Sequence, residues 1–391
     1  MSSKNNKNNL EIIMQEIIIF TNRTLHNAPR VIRQIDFLKD EYKIHTVGYT
    51  SPTIILESFT NIKEFENAFV IRGMLKILRI LLNSPFLFRY NKSKEKKINQ
   101  FVNSIKPKLV FVHDAENLKY FANIKHLYEF KLIFNAHEYY PLEFNDRKNW
   151  ENTWQIYFEN IYKECLPKTD LMINVCESIR QKCLLEFHKD SILIPNAAFY
   201  SDISIKNNIK NDKIKIIHHG VALEGRKIEW MIDAVRNAGE KYHLTLMLSN
   251  VGSNYYKKLE KVIATISNIE LVPPVHFNEI VPFINKYDIG LYLLPPSNFN
   301  NSVALPNKIF EFIQAKLCIL IGPAIEMEKL IYEHNIGLVA SENSPEAITE
   351  CLLKLDERTI LMHKENSALC AKILSAENYY QIYQNALKSI E

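Results

Sequence analysis

The sequence predicts an α/β protein built from two doubly wound parallel-sheet domains, and three observations carry that expectation. Short apolar runs alternate with longer amphipathic segments from residue 16 to residue 341, the pattern of parallel strands joined by crossover helices. The alternation occurs twice, with the polar stretch SDISIKNNIKNDK (201–213) between the two series. The polar residues that stand out fall just after apolar runs, and open α/β sheets bind ligands beyond the carboxyl ends of their strands.

The first series of strands is expected at EIIIF (16–20), KIHTVGY (43–49), KLVFVHD (108–114), KLIFNAH (131–137), DLMINV (170–175) and ILIPN (192–196). The second is expected at KIKIIHHG (213–220), HLTLMLS (243–249), IELVP (269–273), DIGLYLLPP (288–296), LCILIG (317–322) and GLVAS (337–341). Such runs are short and mostly apolar, as strands covered on both faces are. Helical periodicity fills the gaps, as in APRVIRQIDFLKD, KIEWMIDAVRNAG and SPEAITECLLKLDE. The domain division read from this order is a flexible tail over 1–10, an N-terminal domain over 11–200 and a C-terminal domain over 201–371.

Composition narrows the function classes. A chain of 391 residues, 47% hydrophobic and 24% charged, has material for two cores. The net charge of +4 is too small to argue for nucleic acid, but it is unevenly placed. Residues 1–190 carry 28 Lys and Arg against 22 Asp and Glu, and residues 191–391 carry 20 against 22. The excess in the first half points to an anionic surface or substrate facing it. The six cysteines form no C-x-x-C pair and several stand in apolar runs, which suggests reduced, buried thiols of a cytoplasmic protein. The opening MSSKNNKNNL lacks the apolar core of a signal peptide, and no run reaches the roughly 18 apolar residues of a spanning helix. With nine glycines there is no G-x-G-x-x-G and no G-x-x-x-x-G-K-[ST], which argues against a dinucleotide enzyme or a P-loop NTPase.

The stretch LPNKIFEFIQAKLCILIGP (305–323) combines a helix start with a buried strand. Pro306 suits a first turn, and Ile309, Phe310, Phe312 and Ile313 supply an apolar face. Lys308 and Glu311, three residues apart, then share a face near the helix N-terminus, whose free N–H groups suit phosphate. A lysine there adds charge for an anion, and a glutamate one turn on can accept from vicinal hydroxyls such as those of a ribose. A surface helix with one intrahelical ion pair is the plainer reading of the same residues. The adjacent His218 and His219 do not suggest a metal site, since neighbours on a strand point to opposite faces and no third ligand is suitably spaced.

Five stretches together resemble the GT-B glycosyltransferases, most closely family 4 (glycosyl transferases group 1). They are APRVIRQIDFLKDEYKIHTVGY, LIFNAHEYYP, LIPNAAF, HHGVALEGRKIEWMIDAV and KYDIGLYLLPPSNFNNSVALPNKIFEFIQAKLCILI, in the family's order. The resemblance implies a GT-B fold, two Rossmann-like domains facing a central cleft, with a last helix (about 372–391) crossing back onto the N-terminal domain. It implies glycosyl transfer with retention, with no metal and no cofactor, and a nucleotide sugar, most plausibly a UDP-sugar, as donor substrate. Glu311 matches the glutamate that binds the donor ribose, and Arg226 the arginine on the donor diphosphate. Gly220, Lys227, Asn307 and Lys308 fall in the same matched segments and are expected to line the nucleotide site. His137 matches the histidine near the donor sugar, with Glu138 beside it as a further catalytic candidate. The implied acceptor is a glycan or lipid-linked saccharide in cell-surface polysaccharide synthesis, capsule or lipopolysaccharide.

Three departures stand out. Val303 replaces a second glutamate that commonly touches the donor sugar, so Asn300, Asn301 and Ser302 become the expected sugar contacts. Lys227 and Lys316 stand where glycine is usual. Residues 70–97 (VIRGMLKILRILLNSPFLFRYNKSKEKK) hold eight basic residues and one acid among apolar ones. They suit either docking at an anionic inner leaflet or a helix covering the first sheet. Two other functions stay open: an inverting GT-B transferase using a CMP-activated acidic sugar, with Glu138 or Asp114 as base, and a non-catalytic nucleotide- or glycan-binding scaffold.

Overall fold

The computed structural model describes residues 14–52, 54, 56–66, 91–206 and 213–391. Most of the basic stretch 70–97 and the expected tail 1–10 lie outside these residues. The chain divides into two compact units, residues 1–134 with 168–170, and 135–167 with 171–391.

Among the described residues, thirteen strands form two sheets. The first contains β1 (Gln15–Phe20), β2 (Tyr42–Gly48), β3 (Ser58–Asn61), β4 (Leu109–Val112), β5 (Lys131–Asn135), β6 (Leu171–Asn174) and β7 (Ile192–Leu193), in the order β3-β2-β1-β4-β5-β6-β7. The second contains β8 (Ile214–Val221), β9 (Tyr242–Ser249), β10 (Ile269–Val272), β11 (Ile289–Tyr292), β12 (Cys318–Ile321) and β13 (Gly337–Val339), in the order β10-β9-β8-β11-β12-β13. The recorded pairings are parallel in both sheets, for example Ile17 opposite Ile44 and Ile289 opposite Cys318. Each expected strand is present within a few residues. β3 was not expected: its residues SFTN are half-buried and carry no apolar run, as suits an edge strand.

The runs that predicted strands are the core. Ile17 to Phe20, Leu109 to Val112 and Cys318 to Ile321 are completely buried. In the second sheet Ile216, Leu244, Leu246, Ile289 and Leu291 pack with Ile228, Met231 and Val235 from the helix Ile228–Ala238. Gly290 places the site helix: a Cβ there would stand 2.5 Å from the ring of Phe312, so the helix Asn307–Gln314 can lie directly on β11 only because that position has no side chain.

At Lys227 (φ 48°) and Lys316 (φ 59°), where glycine is usual in the resembled family, the backbone is left-handed. The chain therefore keeps a glycine-like turn at both places while carrying a lysine, a conformation that costs a non-glycine residue about 1 kcal/mol or more. All six cysteines are free and buried. Lys94 and Lys97, two of the eight basic residues of 70–97, make hydrogen bonds within the first unit. Lys94 Nζ donates to Asn117 Oδ1 at 2.9 Å and lies over the Phe20 and Tyr120 rings, and Lys97 Nζ donates to the carbonyl of Glu64. No described helix is long and apolar enough to cross a membrane.

Candidate active site

The site is built where β8 and β11 end and the helix Asn307–Gln314 begins. Gly220, near the end of β8, has φ +142°, a backbone open to glycine and strained for other residues. A Cβ at Gly220 would stand 3.0 Å from Arg226 Nη1 and 3.0 Å from Lys308 Nζ. Two cationic side chains, one from the short turn Glu224–Arg226 and one from the helix Asn307–Gln314, thus converge over a bare stretch of backbone. Two basic side chains over backbone that carries no side chain of its own suit a phosphate or diphosphate.

Lys308 is not a surface residue. It is 6% exposed, its Nζ has no hydrogen-bond partner and lies 4.0 Å from the centroid of the Tyr292 ring. Burial pushes its pKa well below the usual lysine value, the Arg226 guanidinium pushes it further down, and Glu311 opposes the shift. Helix position explains the burial: Lys308 is in the first turn, on the face that packs against β11, with its N-cap at Pro306 offering no side chain. Pro306 is the cap and not the first helical residue, one place earlier in its role than the spacing suggested.

Glu311 is also buried, at 7% exposure, one turn after Lys308 on the inner face of the helix. Its Oε2 is 3.3 Å from His219 Nε2. Although that is ion-pair distance, the geometry is not that of a hydrogen bond, and His219 is neutral. Burial, then Lys308 and Arg226, hold its pKa down at about 3. The contact is therefore polar and not ionic, and it leaves the Glu311 carboxyl beside the basic side chains of Lys308 and Arg226. His218 points elsewhere: its Nδ1 meets the Leu291 carbonyl at 2.9 Å, and its ring stacks on Tyr292 at 6.0 Å. The two histidines thus have different partners. No group of three or more His, Cys, Asp and Glu side chains able to hold a metal occurs among the described residues.

Of the residues expected at the site, Gly220, Arg226, Lys308 and Glu311 are brought together. Lys227 stands beside Arg226 as the N-cap of the helix Ile228–Ala238, and Asn307 opens the helix that carries Lys308. His137 and Glu138 are half-buried on the loop that follows β5. The side chains of Asn300, Asn301 and Ser302, expected as sugar contacts, each make a hydrogen bond within the protein. The Asn300 amide is bonded to the backbone of Tyr139, Asn301 Nδ2 donates to Ser297 Oγ, and Ser302 Oγ donates to the Phe299 carbonyl. Sequence reasoning overlooked His219 and Tyr292 as the immediate surroundings of Glu311 and Lys308. Their only local signal was their place at the ends of strands leading into the site.

No protein-family model matches the chain, and no curated protein does. Solved structures do. The chain is similar to Anabaena HepE in complex with UDP and glucose, with a TM-score of 0.68 at 13% identity over 95% of this chain and 99% of that one. It is similar to sucrose-phosphate synthase from Thermosynechococcus elongatus, with a TM-score of 0.69 at 12% identity over 96% and 100%. It is also similar to WaaG, a glycosyltransferase involved in lipopolysaccharide biosynthesis, with a TM-score of 0.64 at 11% identity over 93% and 98%. Likeness at these identities speaks for the fold, and with the two parallel sheets it leads to one conclusion: the chain has the GT-B glycosyltransferase fold, made of two Rossmann-like domains.

Proposed function

We propose that the protein is a glycosyltransferase that takes a sugar from a nucleoside diphosphate donor, a UDP-sugar before others, and passes it to a glycan or lipid-linked acceptor. The single observation that carries this reading is the convergence of Arg226 and the buried, unpartnered Lys308 on Gly220. Two cations on a side-chain-free floor fit a diphosphate better than the monophosphate of a CMP-sugar. HepE, of the same fold, holds UDP and glucose.

The chemistry follows from the placement. When the glycosidic bond to the diphosphate breaks, negative charge grows on the leaving oxygens. Arg226 and Lys308, already positioned, stabilise it where it appears. Glu311 accepts from the ribose hydroxyls through its carboxyl oxygens and fixes the nucleoside. His137 and Glu138 are proposed to face the donor sugar. Retention fits a step in which the departing diphosphate takes the acceptor proton, so no protein nucleophile is assigned and no metal is required. The likeness to a lipopolysaccharide enzyme supports a role in cell-surface polysaccharide synthesis, at the cytoplasmic side of the membrane.

The test is calorimetric titration of wild type and Glu311→Ala with UDP, GDP, ADP and CMP. One nucleoside diphosphate should bind tightly, and the variant should lose roughly tenfold to a hundredfold in affinity as a charge-assisted bond disappears. A preference for CMP would move the assignment to an inverting transferase of acidic sugars. Absence of nucleotide binding would leave a non-catalytic scaffold.

A further inference from the structure

The loop after β5 carries His137 and Glu138, and the helix Asn307–Gln314 carries Lys308 and Glu311. A buried amide ties the loop to the short helix Phe299–Ser302, which precedes the second of these in the chain. Asn300 Oδ1 accepts from the Tyr139 N–H at 2.9 Å, and Asn300 Nδ2 donates to the Tyr139 carbonyl at 3.2 Å. Asn300 is 9% exposed and Tyr139 1%. We propose that Asn300 is a positioning residue for the transfer reaction, fixing the His137–Glu138 loop against the nucleotide-binding helix. The proposal rests on the glycosyltransferase reading above.

The geometry supports this in three ways. An asparagine side chain has the donor and acceptor of a peptide unit, so the pair works like one rung of a strand ladder. Because it grips both the N–H and the C=O of Tyr139, it sets the peptide planes on both sides of that residue. One of these is the Glu138–Tyr139 peptide, so the direction in which Glu138 leaves the backbone is set as well. Next, the helix Phe299–Ser302 that bears Asn300 has four residues, too few to hold its shape alone. It is held from outside. Asn145 Oδ1 accepts from the Phe299 N–H at 3.1 Å, the Phe299 and Tyr139 rings meet edge to face at 5.6 Å, and Lys182 Nζ lies 5.1 and 5.2 Å from their centroids. Finally, the connection onward is also tied down. Val303 is buried and its carbonyl accepts from Cys176 Sγ at 3.5 Å, and the helix with Lys308 starts four residues later. The loop and the helix therefore share a short, clamped connector with Asn300 at its centre.

The role predicts a split between binding and turnover. Asn300→Ala removes both bonds, and Asn300→Asp keeps an acceptor for the Tyr139 N–H while facing its carbonyl with a second oxygen. Both are measured for UDP affinity by calorimetry, for kcat and KM of UDP release from UDP-glucose, and for deuterium exchange in the peptide 136–145. The expected result is a kcat lower by about tenfold to a hundredfold, as misplaced groups give. UDP affinity and donor KM should stay within about twofold of wild type, because Arg226, Lys308 and Glu311 are untouched. Exchange in 136–145 should rise while 307–314 stays protected, and retained UDP binding shows that both variants are folded. A kcat within about twofold of wild type, or an affinity falling in step with kcat, overturns the proposal. If wild type itself binds none of UDP, GDP, ADP and CMP, the glycosyltransferase reading fails. The exchange measurement needs no substrate and still decides the clamp: unchanged exchange in 136–145 overturns it.

Discussion

Replacing Lys308 with methionine should make the protein more stable and less able to bind nucleotide. Lys308 is 6% exposed, and its ammonium has no hydrogen-bond partner and the Arg226 guanidinium nearby. Relieving a buried unsatisfied group is worth about 1–3 kcal/mol. Against that stands the lost attraction to the Tyr292 ring at 4.0 Å, about 0.5–2 kcal/mol for a desolvated cation–π pair. Methionine has a chain of similar length and can still rest its sulfur against the ring, so the expected net gain is about 1 kcal/mol, a rise of about 1–2 °C in Tm for a chain of this size. Binding of UDP loses a charge-assisted contact and should weaken by about tenfold to a hundredfold. Lys364 provides the contrast: it is equally buried, but its Nζ reaches the Tyr287 carbonyl at 2.9 Å and Asp288 Oδ1 at 3.4 Å. Lys364→Met breaks a satisfied buried pair and should destabilise by about 3 kcal/mol with nucleotide affinity unchanged. The assays are thermal and denaturant melts with UDP calorimetry. A Lys308→Met protein that is less stable yet binds UDP like wild type would refute the reasoning, because Lys308 would then be a structural residue.

Two further predictions follow from the same geometry. Gly220→Ala forces φ +142° on a residue with a Cβ and places that atom 3.0 Å from Arg226 Nη1 and Lys308 Nζ. Stability should fall by about 1–3 kcal/mol, and UDP affinity by about tenfold as both cations shift; unchanged melting and titration curves would show that the floor is not where the phosphates lie. The depressed pKa of Lys308 also couples binding to pH. Free protein releases this proton at lower pH than an ordinary lysine, and a bound diphosphate favours the ammonium. Affinity should therefore fall as pH rises through the depressed value, with uptake of up to about one proton on binding. Calorimetry in buffers of different ionisation enthalpy measures this, and the uptake should vanish in Lys308→Met.

Much of the fold was legible locally. Parallel strands covered on both faces must be continuous apolar runs, so EIIIF, LVFV, LMLS and CILI announce themselves within four or five residues. β3 escaped because an edge strand with half-buried polar residues has no such run. Glycine at 227 or 316 would have marked the left-handed turns, but with lysine there only the structure reveals them. LPNKIFEF likewise showed a helix start with a cation and an acid on one face, while two readings of that face, exposed or ligand-binding, remained equally compatible with the spacing.

The sequence by itself determined the class of fold, the order of strands and helices, and the segment that holds the nucleotide-site candidates, because each rests on periodicity within a few residues. Only the tertiary structure decided that Lys308 and Glu311 are buried, that Arg226 and Lys308 meet over Gly220, and that Asn300 is committed to Tyr139. Those outcomes depend on how β8 and β11 lie in register and on how closely a helix can settle on Gly290. Tyr139 and Asn300 are 161 residues apart, and no local pattern couples positions at that separation. They become neighbours only when burial of the strands brings their flanking loops together.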